Sequence, residues 1–178
     1  TKGAYTGATE TKAGWFEIAD KGTLFLDEIV EMDHSLQTKF LRVLEEKKVT
    51  RVGSTKEVEV DVRIIAATNQ DVDKMVEDGK LRIDLYHRLN IFHIHIPPLR
   101  ERGGDIRLLS EYFVKKFARE MKKGEIDISP GALKKLEKYK WPGNVRELQN
   151  AIERGLITLK GRILEAGDII LPEEDPYI

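Results

Sequence analysis

Cysteine is absent from this chain of 178 residues. That removes disulfide scaffolds, thiolate zinc sites and cysteine nucleophiles together. No apolar run approaches the ~20 residues that a membrane-spanning helix needs. No signal peptide opens the sequence. Neither sign of charge dominates: 30 Lys and Arg stand against 31 Asp and Glu, a net charge of −1. A global basic field that would argue for nucleic acid is therefore missing, as is an acidic tail. Internal repeats and low-complexity stretches are absent too. So is the Gly-x-x-x-x-Gly-Lys-Ser/Thr loop that cradles phosphates. Gly79-Lys80 is followed by Leu81 and lacks that loop.

What is there is a charge-rich globular chain, 40% hydrophobic and 34% charged. The length predicts one domain, or one domain with a small satellite, and suffices to bury a core. The sequence starts at Thr1 without a Met and reads as a fragment of a cytosolic protein.

The first hundred or so residues alternate strand-like and helix-like runs. Thr23-Leu24-Phe25-Leu26 is a short apolar run between Gly22 and the acidic pair Asp27-Glu28, which suits a strand buried on both faces of a parallel sheet. Leu36, Phe40, Val43 and Leu44 recur at helical spacing and predict an amphipathic helix over about 35–46. Val62 to Ala67 reads as a second buried strand, 70–78 as a helix stopped by Gly79, and Ile91 to Ile96 as a third strand ended by Pro97-Pro98. Strands separated by helices imply an α/β architecture. Beyond Pro98 the pattern turns helical. Ile106, Leu109, Phe113 and Phe117 share one face, Leu133 and Leu136 mark a second helix, and Val145, Leu148 and Ile152 a third. The expected division is an α/β part over 1–102, a helical subdomain over 103–171 and the start of a linker over 172–178, with Gly103-Gly104 at the hinge.

Five segments could carry chemistry. Asp27-Glu28 ends an apolar strand, where ligands of open α/β sheets bind. One carboxylate there can hold Mg²⁺ through its waters and the next can polarise a water for attack on phosphorus; two solvated acids are the alternative. Ala67-Thr68-Asn69 ends the second strand, where Thr68 and Asn69 can bond a water or a γ-phosphate, or simply make a turn. In Trp141-Pro142-Gly143-Asn144-Val145-Arg146-Glu147, Asn144 is the expected N-cap and Glu147 completes a capping box. Arg146 then lies in the first helical turn, the wrong end for a cation by the helix dipole. An anion bound there favours it more than pairing with Glu147 does. Arg82 and Arg88, six residues apart, point about 120° apart on a helix. Composition alone favours ordinary pairing, for instance with Asp84, over a role in phosphoryl transfer. Gly3-Ala4-Tyr5-Thr6-Gly7-Ala8 describes a flexible loop or a plain surface turn. His93 and His95 share one strand face without a third ligand and read as surface residues.

Taken together and in order, these segments resemble the central AAA+ ATPase domain of bacterial enhancer-binding proteins, the NtrC-like class that activates sigma-54 RNA polymerase. Gly3 to Ala8 resembles the family's GAFTGA loop, which contacts sigma-54. Gly22 to Ile29 resembles its Walker B strand, Ala67-Thr68-Asn69 its sensor I, and the segment with Arg82 and Arg88 its arginine-finger helix. Pro97 to Arg102 resembles the link into the lid, and Trp141 to Leu148 sensor II. The implied fold is an AAA+ parallel sheet, here incomplete, followed by a helical lid.

The resemblance implies ATP and Mg²⁺ as ligands. Asp27 would hold the Mg²⁺ through water and Glu28 would activate the attacking water. Thr68, Asn69 and Arg146 would contact the nucleotide. Arg82 and Arg88 would reach a neighbour's site, which implies a homo-oligomeric ring, expected to be a hexamer. Thr6 with Tyr5 would touch sigma-54, and hydrolysis would remodel sigma-54 RNA polymerase at the promoter. DNA binding and any two-component receiver would belong to domains outside this chain, no membrane is involved, and the setting is the bacterial cytoplasm. Against the family pattern, Tyr5 replaces Phe, which keeps the ring, and Leu81 and Ile83 flank the arginine segment differently. The family's Walker A loop and two strands precede the GAFTGA segment. Without them the sheet would have a gap in its middle, and the chain alone would bind ATP poorly. Two competing readings follow: another AAA+ remodelling machine, for which Thr6 discriminates, or a non-catalytic sigma-54 or ring-interaction module, which the missing phosphate loop favours.

Overall fold

The computed structural model describes residues 13–51 and 53–171, so the expectations for the loop at 3–8 and the linker at 172–178 lie outside the described residues. The chain divides into two compact units between Ile94 and His95.

In the first unit, β1 (Thr23–Leu26) and β4 (Arg63–Ala66) pair in parallel, with Leu24 opposite Ile64 and Leu26 opposite Ala66. Side chains alternate across a strand. Leu26 and Ile64 therefore join the core, while Phe25 stays 59% exposed and Ile65 43% exposed on the other face. The expectation of burial on both faces is thus met on one only. The helices cover that face, and no described element covers the other. A short helix α1 (Trp15–Ile18) precedes β1. Helix α2 (His34–Glu46) starts at Asp33, whose carboxylate accepts from the Leu36 N–H at 2.9 Å. Its buried stripe is Gln37 and Phe40, with Leu41 and Leu44 partly buried, and Leu36 is 47% exposed. The helix was expected, but its inward face is turned by one residue from the expected one.

After α2 the chain makes an antiparallel hairpin, β2 (Lys48–Thr50) with β3 (Glu57–Glu59), that the sequence reading did not include. Helix α3 (Val72–Glu77) is capped by Asp71 and ends before Gly79, whose φ of +69° suits glycine. Helix α4 is Ile83–Leu89. Ile29, Val30, Phe40, Met75, Leu81 and Leu85 form this unit's core. The third strand expected over 91–96 does not form. Ile91, Phe92, Ile94 and Ile96 are between 69% and 82% exposed. A strand exists only through ladder bonds to a neighbour, and β4 pairs with β1 alone among the described residues. His93 and His95 are likewise exposed and outside any strand.

The second unit is helical. Helix α5 (Gly103–Glu120) packs on α6 (Pro130–Lys138) and α7 (Asn144–Thr158), and β5 (Asp127–Ile128) pairs in parallel with β6 (Ile163–Leu164). Ser129 caps α6, and Pro130 fits its first turn because it has no N–H to leave unpaired. Ile106, Phe113 and Phe117 of α5 meet Leu148, Ile152 and Leu156 of α7 in one core with Trp141. Each such side chain contributes about 1.5–3 kcal/mol on full burial. The α7 carbonyl end is closed by Lys123, whose Nζ donates to Leu156 O at 2.6 Å and Leu159 O at 2.9 Å. A cation at that end also complements the helix dipole.

Candidate functional site at the strand ends

The parallel pairing of β1 and β4 puts the residues that follow each strand at one edge. Ala67 N donates to Leu26 O at 2.8 Å and Ile29 N to Ala67 O at 3.1 Å, so the pairing runs on past both strands. Between those bonds, Asp27 and Glu28 leave β1. Glu28 adopts a left-handed conformation, φ 53° and ψ 53°, and starts the 3₁₀ turn Ile29–Glu31. For a non-glycine residue this costs on the order of 1 kcal/mol. Its carboxylate bridges to the β4 end: Oε2 accepts from Thr68 Oγ1 at 3.2 Å and from Asn69 N at 3.3 Å. Thr68 Oγ1 in turn accepts from Gln70 N at 3.1 Å. Asp27 is exposed and has no hydrogen bond or ion pair among the described residues. One acid is held and its neighbour is open.

The arginines belong to the same unit. Arg82 is the N-cap residue of α4 rather than a residue within it. Its guanidinium forks onto Asp84, Nε to Oδ1 at 3.0 Å and Nη2 to Oδ2 at 2.7 Å. That contact holds the Asp84 carboxyl below its ordinary range and raises Arg82. Arg88 donates from Nη2 to Leu44 O at 3.1 Å. Neither arginine bonds Asp27 or Glu28.

In the second unit, Arg146 is exposed in the first turn of α7 and makes no ion pair. The pairing with Glu147 does not form; Glu147 Oε2 accepts from Gly143 N at 2.9 Å. Asn144 is not the N-cap. It is the first helical residue, at φ 51°, and its Oδ1 accepts from Leu99 N at 2.8 Å. The side chain therefore ties the segment after Pro97-Pro98 to α7. Among the described residues no group of three or more His, Asp or Glu gathers to hold a metal ion.

Residues 1–95 match the family model described as the sigma-54 interaction domain. The chain belongs to that family. Residues 100–174 match the AAA+ ATPase lid domain. The sigma-54-dependent transcriptional regulator SfnR of Pseudomonas fluorescens is 48% identical over 170 residues, 96% of this chain and 46% of that protein. The formate hydrogenlyase transcriptional activator FhlA of Escherichia coli is 50% identical over 176 residues, 98% of this chain and 25% of that protein. The chain thus spans less than half the length of either relative. Crystal structures of NtrX from Brucella abortus in complex with ATP and with ADP each superpose with a TM-score of 0.82 at 39% identity. They cover 90% and 92% of this chain, and 37% and 38% of the solved chains. The fold is the AAA+ fold that the motifs implied, and the sigma-54 family is favoured over other AAA+ machines.

Two features of this sigma-54 interaction domain were missed in the sequence. Gln37 is fully buried and bonds three backbone groups; its signal was a polar residue in the apolar phase of α2. Glu17, in α1, accepts both Nε and Nη2 of Arg51 at 2.7–3.1 Å. Arg51 and the Gly14 N–H hold the Glu17 carboxyl below its ordinary range. No local pattern announces a pair 34 residues apart.

Proposed function

We propose that this chain is part of the ATP-hydrolysing central domain of a sigma-54-dependent transcription activator, which remodels sigma-54 RNA polymerase at the promoter. The observation that supports it is the bond from Thr68 to Glu28 beside the open carboxylate of Asp27. A water-activating acid, a γ-phosphate contact and a metal-binding acid then share one strand edge.

The donor set fits a hydrated Mg²⁺, which takes oxygen ligands and keeps several waters; Asp27 offers an exposed carboxylate with no protein partner among the described residues. Bound Mg²⁺ would neutralise charge on the ATP phosphates. Glu28 takes the proton of the attacking water. Its Oε2 is engaged by Thr68 and Asn69, which leaves Oε1 for that water. Thr68 and Asn69 report the γ-phosphate to Glu28 because they already hold it. Arg82 and Arg88 act on the nucleotide of a neighbouring subunit in a hexameric ring, and Asp84 orients the Arg82 fork. Arg146, without an acidic partner, binds a phosphate of the nucleotide. The phosphate cradle comes from outside these 178 residues. Thr6 and Tyr5, within Gly3 to Ala8, contact sigma-54. The division 1–102, 103–171 and 172–178 corresponds to α/β part, lid and linker. DNA is bound by another domain, in the cytoplasm of a bacterium.

The test is capture of sigma-54 by the intact protein carrying this chain, with a transition-state mimic of ATP. Capture that needs the mimic and is lost in Thr6→Ala supports the activator reading. A protein that hydrolyses ATP without capturing sigma-54 overturns it.

A further inference from the structure

Gln37 occupies a position that an amphipathic helix normally gives to an apolar residue. It is wholly buried, and its amide is the joint of three elements. Nε2 donates to Met32 O and to Lys80 O, each at 2.8 Å, and Oε1 accepts from Arg82 N at 2.9 Å. Both N–H donors of the amide are used, with one acceptor site. Met32 closes the 3₁₀ turn that Glu28 begins, and Arg82 is the N-cap residue of α4, with no side-chain cap of its own. One side chain therefore fixes the turn behind the strand-end acids to the start of the arginine helix. Leucine would fill the space and leave Met32 O, Lys80 O and Arg82 N without partners. Glutamate has the same shape, but when ionised only accepts, so it keeps Arg82 N and repels both carbonyls.

We propose that Gln37 is a positioning residue that sets the arginine helix relative to the strand-end acids of its own subunit, so that its loss is felt at the neighbour's nucleotide. This rests on the reading that Arg82 and Arg88 act across a subunit boundary.

The experiment mixes variants of the intact ring-forming protein. Gln37→Glu leaves the Glu28–Thr68 bond of its own site in place but repels the Met32 and Lys80 carbonyls, which unfastens the arginine segment from the turn behind the acids; Glu28→Gln has a dead site and well-placed arginines. Alone, Gln37→Glu is expected to lose about 100-fold in kcat, the scale of an ångström-sized misplacement, with KM little changed. Mixed with Glu28→Gln, whose arginines now serve the intact acids, hydrolysis rises well above the sum of the two alone. Arg88→Ala mixed with Glu28→Gln is the control. If the control recovers and Gln37→Glu does not, Gln37 acts within its own site and the inference falls. If the control also fails to recover, the cross-subunit reading falls, and the inference with it. Binding of a fluorescent ATP analogue is read for Gln37→Glu and Gln37→Met. Loss of binding in both makes Gln37 a folding residue only and overturns the proposal.

Discussion

Thr68 donates its hydroxyl to Glu28 Oε2 at 3.2 Å, across the ends of two strands that are 40 residues apart in sequence. The bond is made possible by the left-handed turn at Glu28, which swings the carboxylate toward β4 instead of along β1. Thr68→Val keeps the shape and removes the donor. Its kcat is expected to fall about tenfold with KM within twofold, and Thr68→Ser to restore it. Glu28→Gln should cost the 10²–10⁴-fold typical of a lost general base. Steady-state phosphate release from the intact protein measures all three. A Thr68→Val enzyme with full turnover would remove the bond from the mechanism.

Arg88→Ala and Arg82→Ala are each expected to lower turnover by about 10³-fold, the scale for an arginine that stabilises phosphoryl-transfer charge. Nucleotide affinity should move little, since each subunit's own pocket is untouched. Asp84→Asn releases the Arg82 fork and should produce a milder loss than Arg82→Ala. Equal losses of affinity and turnover in all three would mean that these arginines only hold the fold.

Stability should respond to acid in a defined direction. Glu17, Asp33 and Asp84 are all held below their ordinary pKa values, chiefly by Arg51, by the Leu36 N–H and by Arg82 respectively. A lowered folded-state value means that the unfolded chain binds protons first. The stabilisation is complete above the ordinary carboxylate range and is lost as pH falls through that range to the lower folded-state values. Melting temperature is thus expected to be flat near neutrality and to drop in acid, less steeply in Glu17→Gln, which begins lower. Identical profiles for wild type and Glu17→Gln would remove that pair from the acid response.

Gly155→Ala sets two effects against each other. Alanine is favoured over glycine in a helix interior by about 1 kcal/mol. At Gly155, however, a Cβ would stand 2.9 Å from Asp168 O and 3.1 Å from Leu164 Cδ1. The first of these is backbone and cannot swing aside. Overpacking of this kind costs about 1–3 kcal/mol, so the lid is expected to be destabilised despite the gain in propensity. Denaturant unfolding of the intact protein, followed in the lid by Trp141 fluorescence, would show it. A raised midpoint would mean that the Asp168 segment moves freely.

The strand-end acids and the Thr68–Asn69 pair were legible because short apolar runs end abruptly at polar residues, and parallel pairing brings like ends together. The lid helices were legible from their spacing. The inward face of α2 was not, because Leu36 outranks Gln37 on any hydrophobic scale and only the backbone partners of Gln37 make its burial favourable. Ile91 to Ile96 misled in the opposite way: a strand-like composition records what a segment can do beside a partner. Asn144 kept its expected neighbourhood and changed its role, bonding Leu99 N from a left-handed conformation that asparagine tolerates.

The open face of β1 and β4 has a practical consequence for handling these residues. Phe25 and Ile65 lie side by side on it, half exposed, and among the described residues no strand pairs with the outer edge of β4. A bare edge next to apolar side chains invites another chain to extend the sheet. Preparations limited to these residues should therefore lose solubility as concentration rises. Charge reversal at distant surface sites would delay that less than a single lysine at Ile65.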